Sequence, residues 1–269
     1  MPDTPLPAFN RETHAKYSES PNPTFSYGQK VNATEDGKKW LEGEKAGWTV
    51  VDPSKEESRK IYALMISGIV PRPIAFVSSI SESGVENLAP FSWFNQVTQS
   101  PPLISVSISQ LSDGSLKDTA DNIKKTKQFT VNIISEPFIE NANVTSLDSP
   151  REVSEWDISG LTKAPSIHVK APRVKESAFS MECELFHTVD IIHPETGEQT
   201  ATLVIGLVKC FHVRNDVLNE RGLVDFMKLK PIGRIGDISY TRVGDGFRLA
   251  RPSWAAESPK IQEYLKSTL

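Results

Sequence analysis

Several stretches alternate hydrophobic with polar residues, and this period of two predicts strands. Over residues 74–80, Ile74, Phe76, Ser78 and Ile80 oppose Ala75, Val77 and Ser79, so both faces of the strand are largely apolar. Ser83-Gly84 then turns the chain. In residues 103–109, Ile104, Val106 and Ile108 share one face and Ser105, Ser107 and Ser109 line the other, a row of hydroxyls on a sheet. Further strands are predicted over residues 129–134, 178–191, 200–213 and 238–243. The two long ones are joined through Pro194-Glu195-Thr196-Gly197, whose Pro and Gly form turns. In the long strand, His187 falls on the apolar face; His193 lies in the turn and His212 on the polar face of the next strand.

Helical periodicity is best over residues 116–127, with Leu116, Ala120 and Ile123 at i, i+4 and i+7. Ser115 supplies an N-cap hydroxyl, and Asp118 three residues on supplies the return acceptor of a capping box. Many strands with few helices predict a mainly β fold, a barrel or strongly curved sheet rather than a doubly wound α/β fold.

Composition bounds this picture. Residues 1–39 carry five Pro in the first 23 positions and only ten apolar residues, too few to offset ordering entropy. Residues 1–45 are therefore expected to be an N-terminal arm, poorly ordered or wrapped on a partner subunit. Residues 46–250 are expected to be the folded domain and 251–269 a C-terminal tail. With 30 Lys plus Arg against 34 Asp plus Glu, the net charge of −4 gives no field for collecting nucleic-acid phosphates. The longest apolar runs are broken and fall short of a membrane span. Met-Pro-Asp-Thr-Pro does not open a signal peptide, and Ser-Thr-Leu is not the Ser-Lys-Leu peroxisomal address. Two cysteines, Cys183 and Cys210, without a C-x-x-C, indicate neither a disulfide framework nor a zinc site, so a cytoplasmic protein is expected.

Walker and dinucleotide fingerprints are absent, which disfavours a Rossmann domain. Residues 107–119 instead feed a hydroxyl-lined strand through a Gly-containing loop into a helix with Lys117 in its first turn. Helix-start N–H groups, Ser115, Thr119 and the Lys117 ammonium would suit a phosphate monoester. The ordinary alternative is a Ser115-capped surface helix with a solvated Lys117. Asn87-Leu88-Ala89-Pro90-Phe91-Ser92-Trp93-Phe94-Asn95 mixes polar and aromatic residues as an edge strand would. Its unpaired backbone could meet a planar heterocycle, or its rings could simply pack in a core. Cys183 alternates with core residues and reads as packing rather than nucleophile.

The run Ile69-Val70-Pro71-Arg72-Pro73-Ile74-Ala75-Phe76-Val77-Ser78-Ser79, then 87–95, Pro101-Pro102, Lys117-Asp118-Thr119, Asn122-Ile123, Phe129-Thr130-Val131-Asn132 and Glu182-Cys183-Glu184-Leu185 resembles the flavin reductase-like family. With Gly233-Arg234 and Tyr240, the resemblance covers about residues 48–245. It implies an FMN-binding split β-barrel, a homodimer with flavin at the subunit interface, and NADH or NADPH as electron donor. A partner oxygenase is a possible acceptor, since reductase components of two-component monooxygenases belong to the family. Asn87, Ala89, Pro90, Phe91 and Ser92 would hold the isoalloxazine and ribityl chain. Ser107, Ser109, Lys117, Asp118 and Thr119 would lie near the ribityl and phosphate, with Ser115 beside them and Asp118 serving mainly to cap the helix. No catalytic residue and no metal ligand is assigned, because the hydride chemistry belongs to the flavin. The alternatives are a flavin carrier or sensor without turnover and a relative of the pyridoxamine phosphate oxidases. The latter would need an Arg cluster that the sequence does not show.

Overall fold

The computed structural model describes residues 6–12 and 15–267. Residues 1–5, 13, 14, 268 and 269, with the opening Met-Pro-Asp-Thr-Pro and the final Thr-Leu, lie outside them. The chain divides into two units: residues 62–243, and a unit made of the chain up to residue 61 together with residues from 244 onwards.

The larger unit is built on a seven-stranded sheet, antiparallel throughout. Its strands are β1 (Ala75–Ile80), β2 (Glu86–Phe91), β3 (Phe94–Gln99), β4 (Pro102–Ser109), β5 (Gln128–Asn132), β6 (Phe179–Ile192) and β7 (Gln199–Val213), in the spatial order β2-β1-β5-β6-β7-β4-β3. Helix α1 (Asp118–Thr126) packs Ala120 and Ile123 into a core with Ala75 and Val77 of β1, Val106 and Ile108 of β4, Phe129 of β5, Cys183 of β6 and Val204 of β7. Strands near opposite ends of the order thus share one core, which requires the sheet to curve. No pairing closes β2 onto β3 among the described residues, so the expected barrel is an open, curved sheet.

A second core holds Ile74, Phe76, Leu88, Phe138 and Trp156. β1 lies between the two cores, which explains its two apolar faces. Side chains such as Phe76, Phe129 and Val77, fully buried, contribute about 1.5–3 kcal/mol each. The 238–243 strand is shorter and lies elsewhere: Tyr240–Arg242 pairs with Ile232–Arg234 in a separate two-stranded sheet. His187 is exposed, not on a buried apolar face, because the far end of β6 extends beyond the core and also exposes Phe186, Val189, Ile191 and Ile192.

In the smaller unit, Tyr17–Ser18 pairs in parallel with Gly246–Phe247. Helices occupy Glu35–Glu42 and Trp254–Ser267, where apolar periodicity predicted none. The first is written in polar residues instead: the Thr34 hydroxyl accepts from Gly37 N–H, with Glu35 and Asp36 in the first turn and Lys39 in the last. Gly28, at φ +76°, lies against the Tyr264 ring, where a Cβ would fall 1.9 Å from Cζ. Short helices at Ile139–Val144 and Glu155–Ser159 likewise make the fold mixed α/β rather than mainly β.

Candidate functional site

Helix α1 starts at Asp118, three residues after the hydroxyl expected to cap it. Lys117 occupies the N-cap position and makes no side-chain cap bond. Ser115 is engaged by Asp113, whose Oδ1 accepts from the Ser115 N–H at 2.9 Å and its hydroxyl at 2.7 Å. Such a local turn competes directly with capping. The capping box is therefore not formed. Asp118, expected to be its return acceptor, instead pairs with Arg151 Nε at 3.1 Å. The same guanidinium reaches Asp121 at 3.1 Å and the Leu116 carbonyl at 3.2 Å, so Arg151 braces the first turn of α1. Burial pushes the Asp118 carboxyl above its ordinary range, and Arg151 opposes the shift.

Two side-chain bonds fasten α1 to the sheet. Asn122 Nδ2 donates to Ser79 Oγ of β1 at 3.1 Å, and Asn87 Nδ2 of β2 donates to Thr119 Oγ1 at 2.8 Å. β2 is an edge strand. Leu88 N–H points away from β1, donating to Glu155 Oε2 at 3.1 Å. Pro90, two residues on, has its backbone on the same outward side, so its missing N–H costs no ladder bond.

The result is a cleft between β2 and the start of α1, lined by Asn87, Ala89, Pro90, Phe91, Lys117, Asp118 and Thr119. Seven of the predicted site residues therefore meet in one place. Leu111, Thr145–Ser149 and Glu155 complete the wall. Leu111 belongs to the 107–119 segment; the other additions sit in loops and short helices without apolar period, and nothing in the sequence pattern marked them.

The donor set suits a planar group with an anionic end. Ala89, Pro90, Phe91, Leu111 and Leu147 offer apolar surface. The Lys117 ammonium forms an ion pair at 3.5 Å with the exposed Asp148, a solvent-screened contact that an anion could replace. Thr119 accepts from Asn87, while none of the hydrogen bonds found among the described residues uses its O–H proton. The neighbouring carboxylates are already engaged: Asp118 by Arg151, and Glu155 by Leu88 N–H and the Ser149 hydroxyl.

Four predicted residues lie outside this cleft. Ser92 Oγ accepts from Arg72 Nε at 3.3 Å. Ser107 sits within β4, its N–H bonded to the Trp93 carbonyl at 2.8 Å, and Ser109 is exposed at the strand end. Ser115 is held in its own turn. Arg72 is 7 % exposed and donates to the carbonyls of Ile66 (2.6 Å), Ile69 (2.7 Å) and Ile235 (3.3 Å), so it ties segments together rather than facing an acid. Cys183 is fully buried, and burial pushes its thiol up, which fits packing and not nucleophilic chemistry.

Comparison with known proteins places these observations. Residues 67–231 match the flavin reductase like domain. An uncharacterised protein of Halalkalibacterium halodurans is 37 % identical over 203 residues, covering 76 % of this chain and 96 % of its own length. The uncharacterised protein YwrF of Bacillus subtilis is 36 % identical, covering 73 % of this chain and 95 % of its own. Nitrilotriacetate monooxygenase component B from Bacillus cereus superposes with a TM-score of 0.72 at 34 % identity, over 76 % of this chain and 99 % of that one. Flavoredoxin of Desulfovibrio vulgaris gives 0.56 at 25 % identity, over 70 % of this chain and 93 % of that one. A curved antiparallel sheet with a cleft at its edge, and a domain match spanning most of the larger unit, lead to one conclusion: this chain belongs to the flavin reductase-like family.

Proposed function

We propose that the protein binds FMN in the cleft between β2 and α1 and acts as an NAD(P)H-dependent flavin oxidoreductase. The observation that carries the reading is the meeting of the Asn87–Phe91 backbone edge with Lys117 and Thr119 in one cleft. FMN would supply hydride acceptance from the nicotinamide and electron delivery to an acceptor. The protein's share is positional. Lys117 neutralises the phosphate, the Thr119 hydroxyl donates to it or to the ribityl chain, and Pro90 and Phe91 exclude water from one side of the ring. The Bacillus cereus relative is named as a monooxygenase component, which favours an oxygenase as electron acceptor. A homodimer is part of the proposal, since Trp93, Val97 of β3 and Phe186, Ile191 and Ile192 of β6 expose apolar surface that a second copy would cover.

The test is a melting curve with and without FMN, followed by NADH and NADPH oxidation in air with excess FMN. FMN should raise the melting temperature because it binds the native state. No shift and no retained flavin absorbance would remove the reading. A shift without nicotinamide oxidation would reduce it to a flavin carrier. Light scattering at micromolar concentration tests the dimer, and a monomer that still binds FMN tightly would contradict it.

A further inference from the structure

On the opposite side of β6 from Cys183, three potential ligands from two adjacent strands converge. Glu182 of β6 pairs in register with Cys210 of β7, and Ser180 with His212. One ligand atom each from Glu182, Cys210 and His212 lies within 4.8 Å of the other two. The Glu182 side chain has no exposure and His212 retains 20 %, so the group opens to solvent on the β7 side. His212 Nε2 lies 2.5 Å from Glu182 Oε1. N–H donors from Ile167 (2.8 Å), His168 (2.5 Å) and Val169 (3.2 Å) converge on the Glu182 carboxyl group. Its oxygens are therefore fixed in place by backbone. Beside it on the same face, the Ser180 hydroxyl is fully buried and has no hydrogen-bond partner among the described residues. A fully buried hydroxyl is ordinarily hydrogen-bonded, and a water, whether free or bound to an ion, would supply a partner.

We propose that Glu182, Cys210 and His212 form a binding site for a zinc-class divalent cation, separate from the flavin cleft. Sulfur, imidazole nitrogen and carboxylate oxygen form a donor set that suits zinc and disfavours magnesium or calcium, which take oxygen. Three protein ligands leave a fourth position for water, which could hydrogen-bond the orphaned Ser180 hydroxyl. On binding, the Cys210 thiol releases its proton to solvent and ligates as thiolate. His212 ligates as neutral imidazole through Nε2 with a proton on Nδ1, and the cation takes the place of the proton shared with Glu182, which moves to Nδ1 if the ring was neutral and to solvent if it was protonated. The ligands come from two strands whose register, shifted by bulges, the sequence does not display, so no metal-ligand spacing is visible along the chain.

The whole chain offers an internal control: it has two cysteines, and Cys183 is fully buried. After chelator treatment, the native protein should show one thiol accessible to a disulfide reagent, and one equivalent of zinc should slow its reaction at least about tenfold. Cobalt in place of zinc should give a thiolate charge-transfer band. Cys210→Ser should abolish that band, and His212→Gln should weaken cobalt and zinc binding at least about tenfold while leaving FMN binding unchanged. The proposal is overturned if zinc leaves the thiol reaction unchanged, if the wild-type cobalt spectrum lacks the band, or if His212→Gln binds both ions as wild type does. Thiol protection is read on the wild-type protein, so the test holds even if a variant fails to fold.

Discussion

The Asn87 amide donates to the Thr119 hydroxyl at 2.8 Å, and both side chains are buried. This single bond sets the edge strand β2 against the first turn of α1 and so fixes the width of the proposed flavin cleft. Thr119→Val would keep the volume and leave the Asn87 amide without its acceptor, a loss of about 1–3 kcal/mol. Denaturant unfolding should show that loss and FMN titration a weaker affinity. The double variant with Asn87→Ala should cost less than the sum of the singles, since the two changes remove the same bond.

Lys117 carries the anion term of the proposed site. Lys117→Ala should weaken FMN binding by about 1.5–3 kcal/mol, roughly 10- to 100-fold in Kd. Riboflavin, which has no phosphate, should bind wild type and variant alike. FMN affinity within about twofold of wild type would make Lys117 a solvated surface residue and move the phosphate elsewhere.

Gly206 of β7 lies beneath the Phe129 ring, where a Cβ would fall 2.5 Å from Cζ and 3.2 Å from Cε1. Gly206→Ala should overpack this buried contact and destabilise the fold by about 1–3 kcal/mol, near 2–4 °C in Tm for each kcal/mol. Adding Phe129→Leu should recover part of the loss, a non-additivity that thermal melts can read.

Asp190 near the end of β6 accepts from Lys124 of α1 through both oxygens (2.7 and 2.8 Å) and from Thr202 Oγ1 (2.9 Å). The Lys124 bond leads in holding its carboxyl below the ordinary range. A lowered folded-state pKa gives stability that is present above the unfolded value, about 3.9, and is lost as pH falls through the folded one. The pair is partly exposed, so Asp190→Asn should cost no more than about 1 kcal/mol at neutral pH. That gap should close below about pH 4 and narrow with added salt. Urea melts across pH test it.

The sheet was legible where alternation is strict. The long hairpin of β6 and β7, the serine row of β4 and the two apolar faces of β1 all lie where the period of two puts them. The cleft was partly legible for a different reason: Pro90 in an extended run marks an edge, and Lys117 at a helix start is costly unless an anion is near. What failed is competition among hydrogen-bond partners. Whether Ser115 caps a helix or closes a turn depends on Asp113 two residues earlier, and both outcomes read alike in sequence. Arg151, Ser149 and Glu155 reach the site through tertiary packing of loop and one-turn helix, and no periodicity records that. The helix over Glu35–Glu42 escaped because its signal is capping and charge, at Thr34, Glu35 and Asp36, rather than an apolar stripe.

The shared core of β1 and β4 has a consequence for the nascent chain. Those strands and their neighbours β2 and β3 are complete by Ser109, yet of the three strands that bridge them in the sheet only β5 is made soon after, and β6 begins 70 residues later at Phe179. At a synthesis rate of about 5–20 residues per second, the two early hairpins wait roughly 4–14 s before the first residue of β6 is even made. During that interval Val77 and Val106 have no completed core to enter; β5 can cover the inner edge of β1 once Asn132 is made, but the inner edge of β4 stands open until β7 follows. The ribosome-bound intermediate is therefore the stage at which this protein is most exposed to aggregation and most in need of a chaperone that covers unpaired strands.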